Sequence, residues 1–187
     1  MVAVCVVLLG LMTPSALRAD NIVVNGGFET GDFSGWTYPH NSSYLKVNGN
    51  TPYSGSYAAA FGAINNVYDT VSQELATSKG TSYTLSFWLA NTYDPYLESD
   101  SADFQVLWNG TSLEDIITTT AFGYTEFTFT VTGTGKDVLS FEGYNDPSWT
   151  YLDDVSVDVT PEPSSIYLLG TALLVMCGLV MRRKGIA

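Results

Sequence analysis

Three acidic residues near opposite ends of the chain have the types and setting for metal chemistry. Glu29 follows the turn Asn25-Gly26-Gly27-Phe28, and Asp153-Asp154 lie in the strand-like run that ends at Val159. If the first and last strands of the fold are neighbours, Glu29 and one of the aspartates converge at one edge. Backbone carbonyls near Asn25 and Ser54 then add oxygens. Calcium takes roughly six to eight oxygen ligands, carboxylates among them, in a flexible shell. Glu29, Asp154, Asp153, Asn25 and Ser54 are therefore the candidate ligands of a structural Ca2+ ion. The alternative at the same residues is that Glu29 accepts loop amides and the aspartates flank a turn.

A second set is aromatic. Ser82 to Ala90 alternates, with Tyr83, Leu85, Phe87 and Leu89 on one face and Thr84, Ser86 and Trp88 on the other. A tryptophan on a polar strand face offers a ring on which the C–H face of a sugar can stack. Tyr93 and Tyr96 in the following loop, with Tyr144 and Trp149 near the last turn, would extend such a platform. The alternative is that Trp88 packs under a loop. Trp36, directly after Gly35, reads as core. Glu98, Asp100, Asp103, Glu114 and Asp115 are numerous enough for glycoside hydrolysis, which needs two carboxyls across a cleft. They carry no catalytic motif and read as solvated loop. His40 is the lone histidine, and no Gly-x-Ser-x-Gly nucleophile motif is present. The expectation is a non-catalytic protein.

The elements that must position these residues are short strands separated by Gly, Asn, Asp and Ser. An alternating start (Ile22, Val24) runs into the first glycine corner. Turns then punctuate strands near Tyr53–Phe61, Thr70–Leu75, Ser82–Ala90, Asp103–Trp108, Tyr124–Thr132, Val138–Phe141 and Leu152–Val159. Asn109-Gly110 is a favoured two-residue hairpin turn. No helical period is sustained between the two apolar ends. Seven to nine such strands make an all-β fold, a β-sandwich of jelly-roll type, over residues 20–160. That span carries eighteen acidic residues against three lysines. Its surface repels nucleic-acid phosphate and anionic lipid, so no nucleic acid partner is expected. Both cysteines, Cys5 and Cys177, fall in the ends, which leaves the span without a disulfide or a thiol site.

Residues 1–19 read as a secretory signal peptide, although its start lacks a Lys or Arg. At the other end, Pro161-Glu162-Pro163 precedes an apolar run of 16 residues, 166–181, and then Arg182-Arg183-Lys184. As a helix the run spans about 24 Å, short for a membrane crossing. The basic triplet would stay in the cytoplasm and leave the acidic domain outside.

Two resemblances follow from these residues. Asn25-Gly26-Gly27-Phe28-Glu29, Ser54-Gly55-Ser56-Tyr57-Ala58-Ala59 and Leu152-Asp153-Asp154-Val155 occur in the order seen in carbohydrate-binding-module, galactose-binding-like jelly rolls. That resemblance implies polysaccharide binding and a structural calcium, carried best by Glu29 and Asp154. The order Pro-Glu-Pro, apolar helix, Arg-rich tail over 161–187 resembles the PEP-CTERM sorting signal. It implies recognition by an exosortase-type membrane protease and delivery to the cell envelope or extracellular matrix, with a transient membrane anchor. The expected function is binding of polysaccharide at the cell surface, or, as the alternative, a structural or adhesive matrix role without a defined sugar.

Overall fold

A computed structural model describes residues 20–38, 42–64, 67–92, 101–118, 120–146 and 148–160. The signal-peptide reading, the sorting residues Pro161, Glu162, Pro163, Arg182, Arg183 and Lys184, and Tyr93 and Tyr96 lie outside them. Among the described residues no helix is long and apolar enough to cross a membrane.

Among the described residues nine antiparallel strands form two stacked sheets. They are β1 Leu45–Asn48, β2 Ala58–Phe61, β3 Asp69–Leu75, β4 Ser82–Asn91, β5 Ser101–Trp108, β6 Thr111–Thr118, β7 Phe122–Thr132, β8 Asp137–Asp146 and β9 Thr150–Val159. The five-stranded sheet runs β1-β2-β9-β4-β7 and the four-stranded sheet β3-β8-β5-β6. Alternation in the sequence supplies the interior: Tyr83, Leu85, Phe87 and Leu89 from β4 meet Phe104 and Val106 from β5 and Leu139 and Phe141 from β8, all buried. Phe87 is central, edge-on to Phe141 and stacked on Phe127. Each such ring taken wholly from water is worth roughly 1.5–3 kcal/mol. Trp36 is buried as expected, stacked on Phe28 at 5.7 Å.

Two strands, β1 and β6, were not evident in the alternation. In β6 the pairing slips between Val106 and Leu107, which oppose Glu114 and Ser112. The extra residue, Leu113, resets the two-residue period, so Leu113 and Ile116 both turn inward although three apart. The Asn109-Gly110 hairpin is as expected, with φ of 53° and 74° at its two central residues.

The opening stretch from Asp20 lies against the last strand, though it forms no regular strand. It takes the half of β9 that β2 leaves unpaired. Ile22 donates to the Val157 carbonyl and Val155 donates to the Gly26 carbonyl. The Asn21 side chain completes the ladder in place of backbone groups, bonding Val155, Val157 and its own neighbour Val23. Left-handed backbone at Asn25 and Phe28 then turns the chain away.

Candidate functional site

The acidic residues do come together, and what they hold is a loop. Opposite Ser86 to Trp88 of β4, β9 bulges between Asp153 and Ser156, with Asp154 in the left-handed region at φ 46°. The bulge lets both aspartates face the segment Tyr53–Tyr57. Asp153 accepts the amides of Tyr53 (2.8 Å), Ser54 (3.2 Å) and Asp154 (2.7 Å). Asp154 accepts the Ser54 hydroxyl at 3.0 Å. Glu29 accepts the amides of Ser56 and Tyr57 at 2.9 and 3.0 Å. Burial, outweighing these amides and joined by the neighbouring Asp154 charge, pushes the Asp153 carboxyl up to about 6.

Asn25, near which the sequence offered further backbone oxygens, is engaged within its own loop. Its side chain staples its own loop, donating to Thr30, Asp32 and Ser34. Its carbonyl accepts the Trp36 indole N–H and the Phe28 amide. Among the described residues no group of three or more His, Cys, Asp or Glu side chains is drawn together closely enough to hold a metal ion.

The held loop covers the outer face of the five-stranded sheet. Tyr53 stacks flat on Trp88, ring centroids 3.9 Å apart and 12° from parallel. Tyr124 closes on Tyr53 from β7 and donates to the Thr51 carbonyl at 2.6 Å. Trp149 lies close over Gly62, and the Lys46 ammonium caps its ring at 3.9 Å. Both tryptophans expected to meet sugar are thus covered by the protein's own groups. For Trp88 this is the packing alternative, under a loop.

The outer face of the four-stranded sheet carries no comparable cover among the described residues. Its register builds two adjoining rows of side chains. One row reads Asp115, Gln105, Glu142, Thr70 across β6, β5, β8 and β3; the other reads Ile117, Asp103, Tyr144 and then Tyr68, just ahead of β3. At about 4.8 Å between strands, each row spans about 14 Å. Tyr68 and Tyr144 meet edge to face at 5.2 Å, and the Tyr68 hydroxyl donates to Asp103 at 2.5 Å. Burial raises the Asp103 carboxyl; the Tyr68 bond opposes this, and the nearby Asp115 carboxylate adds to it. Asp103 supports the Tyr68 hydroxyl in turn, which with burial holds that phenol above its ordinary range. Sequence reasoning named Tyr144, Asp103 and Asp115 singly but not Tyr68, Gln105 or Glu142. Extending the β8 alternation past Phe141 would have aligned Ser140, Glu142 and Tyr144 on one face.

Comparison with known proteins gives one family and a set of shared folds. A family model described as a carbohydrate binding domain matches residues 20–148. No curated protein matches the chain. Among solved structures, TmCBM61 in complex with β-1,4-galactotriose is 20% identical, with a TM-score of 0.57 over 76% of this chain and 100% of that one. The K3 cleaved adhesin domain of Lys-gingipain from Porphyromonas gingivalis is 16% identical, with a TM-score of 0.55 over 75% and 96%. The CBM22-1 xylan-binding domain from Paenibacillus barcinonensis Xyn10C is 16% identical, with a TM-score of 0.54 over 79% and 100%. At these identities the likeness is one of fold.

Proposed function

Because the chain belongs to the carbohydrate-binding domain family, whose model it matches over residues 20–148, we propose that it is a non-catalytic module binding polysaccharide across the outer face of the four-stranded sheet. The observation that carries the choice of face is the contrast in cover. Tyr53 and Lys46 lie over Trp88 and Trp149 on one side, while Tyr68, Tyr144, Gln105 and Glu142 form half-buried rows on the other with no such ring or ammonium over them among the described residues. Tyrosine rings offer apolar faces to sugar C–H groups, and the amide and carboxylates offer partners to hydroxyls. Affinity electrophoresis of the full chain, in a polyoxyethylene detergent, through gels containing galactan, xylan or β-glucan tests this. Tyr144→Ala is expected to weaken retention about tenfold or more, as loss of a central aromatic contact does. Tyr53→Ala is expected to leave it within about twofold. The reverse pattern would move the site to the five-stranded sheet.

A structural calcium ion held by Glu29, Asp153, Asp154 and Ser54 belongs to the same proposal. Its support is chemical. Two of the carboxylates flank Gly27, where an added Cβ would lie 3.1 Å from Asp154 Oδ1 and 3.8 Å from Asp153 Oδ1, with the Glu29 Cγ methylene at 3.7 Å. Asp153 is wholly buried, and a bound cation would offset the cost of its charge there. In chelator, Asp153 titrates near 6 when folded and 3.8 in its ordinary state, so the folded protein binds the extra proton between those values. Stability from this group is fully present below about pH 4 and is lost as pH rises through about 6. Calcium is expected to remove that fall and raise the melting temperature at pH 7, and Asp154→Asn to abolish the gain. Melting that is the same in calcium and chelator would remove the ion.

The setting we infer from the sequence is the cell envelope or extracellular matrix, reached through the tail 161–187 and an exosortase-type protease. Pro161-Glu162-Pro163 supports that reading. Replacing the three with alanine is expected to leave the unprocessed chain in the membrane fraction. Equal maturation of variant and parent would set the sorting idea aside.

A further inference from the structure

The two rows on the four-stranded sheet set three carboxylates beside the Gln105 amide and the Thr70, Tyr68 and Tyr144 hydroxyls. Asp103, Asp115 and Glu142 are carboxylates, and the Tyr68 hydroxyl already donates to Asp103. Asp103 is only 8% exposed although it has the outward parity of β5. Its Oδ1 is buried with no donor in bonding geometry, although the Gln105 amide and the Asp115 carboxyl both interact with its carboxyl group, Asp115 lying diagonal to it on β6. A buried carboxylate oxygen lacking a donor, with a second carboxylate nearby, is unfavourable until a proton or a cation arrives from outside.

The protein itself does not supply that cation among the described residues. Lys46 sits over Trp149 on the other sheet. Lys136 is paired with Glu74 at 2.8 Å, and Lys79 lies in the turn between β3 and β4; both are at the end of the sandwich away from Tyr144. An ammonium group brings three donors and no acceptor, which the adjacent carboxyls of Asp103 and Asp115 can take. A ring carrying that ammonium would also meet Tyr68 and Tyr144.

We propose that this face prefers a glycan bearing free amino groups, a de-N-acetylated hexosamine polymer, over a neutral or acidic one. The proposal rests on the polysaccharide-binding reading above and assigns the ammonium to Asp103 and Asp115. A hydroxyl both donates and accepts, so a neutral glycan leaves some of these acceptors unused. A uronate adds repulsion from three carboxylates.

Short oligomers separate recognition from bulk charge attraction. Binding of the full chain, in the same detergent, is measured by calorimetry with glucosamine trimer, N-acetylglucosamine trimer, cellotriose and trilysine. Glucosamine trimer is expected to bind about tenfold or more tightly than the two neutral trimers. Asp115→Asn, an exposed change that folding tolerates, and Asp103→Asn are each expected to reduce that preference to about threefold or less. Asp158→Asn, an equal charge change on the other sheet, is expected to leave it intact. Neutral trimers that bind as well as glucosamine trimer, and lose binding in Tyr144→Ala, would overturn the amino-sugar preference and keep the polysaccharide site. Equal weakening by Asp158→Asn, or full competition by trilysine, would reduce the effect to general charge attraction and overturn it. No Tyr144-dependent binding of any trimer would overturn both readings.

Discussion

Replacing Asp137 with alanine is expected to lower the melting temperature by roughly 10 °C or more, the largest effect of any single carboxylate in the domain. Asp137 is wholly buried where three connections meet, at 0% exposure. Its carboxylate accepts Thr77, both the amide and hydroxyl of Thr134, and the Asn109 side chain. Burial alone would raise this carboxyl, but the donors from Asn109, Thr77 and Thr134 outweigh it and bring it down to about 2. Removing one partner strands the others without an acceptor, at roughly 1–3 kcal/mol for each group left unsatisfied and buried. Acid carries a second sign for the same residue. A carboxyl depressed from 3.8 to about 2 contributes stability above pH 4, lost as pH falls through 2. Thermal melts of parent and variant at pH 7 and pH 2.5 measure both. Equal melting at pH 7 would mean the Thr77–Thr134–Asn109 junction holds without its carboxylate.

Gly26→Ala is expected to be comparably damaging, through backbone and not through charge. A Cβ at Gly26 would lie 2.0 Å from the Val155 carbonyl oxygen, far inside contact distance. Neither atom sits on a flexible side chain, so the opening stretch has to leave β9 and lose the Val155 amide bond to the Gly26 carbonyl. Phe28, Phe33 and Trp36 follow that stretch into the core, so the lost packing adds to the strain, at roughly 3–5 kcal/mol for exposing one large ring. Near-ultraviolet circular dichroism and chemical unfolding of Gly26→Ala against Gly55→Ala compare a clash with backbone to one with a carboxylate side chain at a left-handed residue, φ 60°. A Cβ at Gly55 would meet Glu29 Oε1 at 2.4 Å. Unfolding midpoints for Gly26→Ala at the parent value would show that the stretch is not packed as described.

Strands whose side chains keep a strict two-residue period were legible from the sequence. Ser82 to Ala90 gave β4 almost to its ends, and Phe127, Phe129 and Val131 fell on the inner side of β7. Legibility failed wherever a bulge broke that period, as at Leu113 in β6. The doubled aspartate of β9 is the same device, since Leu152 and Val155 point inward three residues apart. Site residues were harder, because their partners are distant in sequence. Trp88 was correctly placed on the outer side of β4, yet its cover, Tyr53, is set by a loop thirty-five residues earlier. Tyr68, Asp103 and Tyr144 meet only once the registers of β3, β5 and β8 are known. Composition speaks to none of these contacts.

The course of β9 has a mechanical side. This strand runs from Thr150, near the Tyr144 end of the sandwich, to Val159 at the Asp137 end, about 30 Å in all. It lies inside the five-stranded sheet, bonded to β4 along its length and to β2 and the opening stretch on its other side. Were the proposed ligand bound on the Tyr68–Tyr144 rows and the chain held beyond Thr160, tension would pull β9 lengthwise. Its cross-strand bonds, perpendicular to the strand, then bear the load together in shear and do not break in succession. A domain built this way yields late under a steady pull, and its lifetime under force is set by the rate of unfolding and not by the affinity of its face.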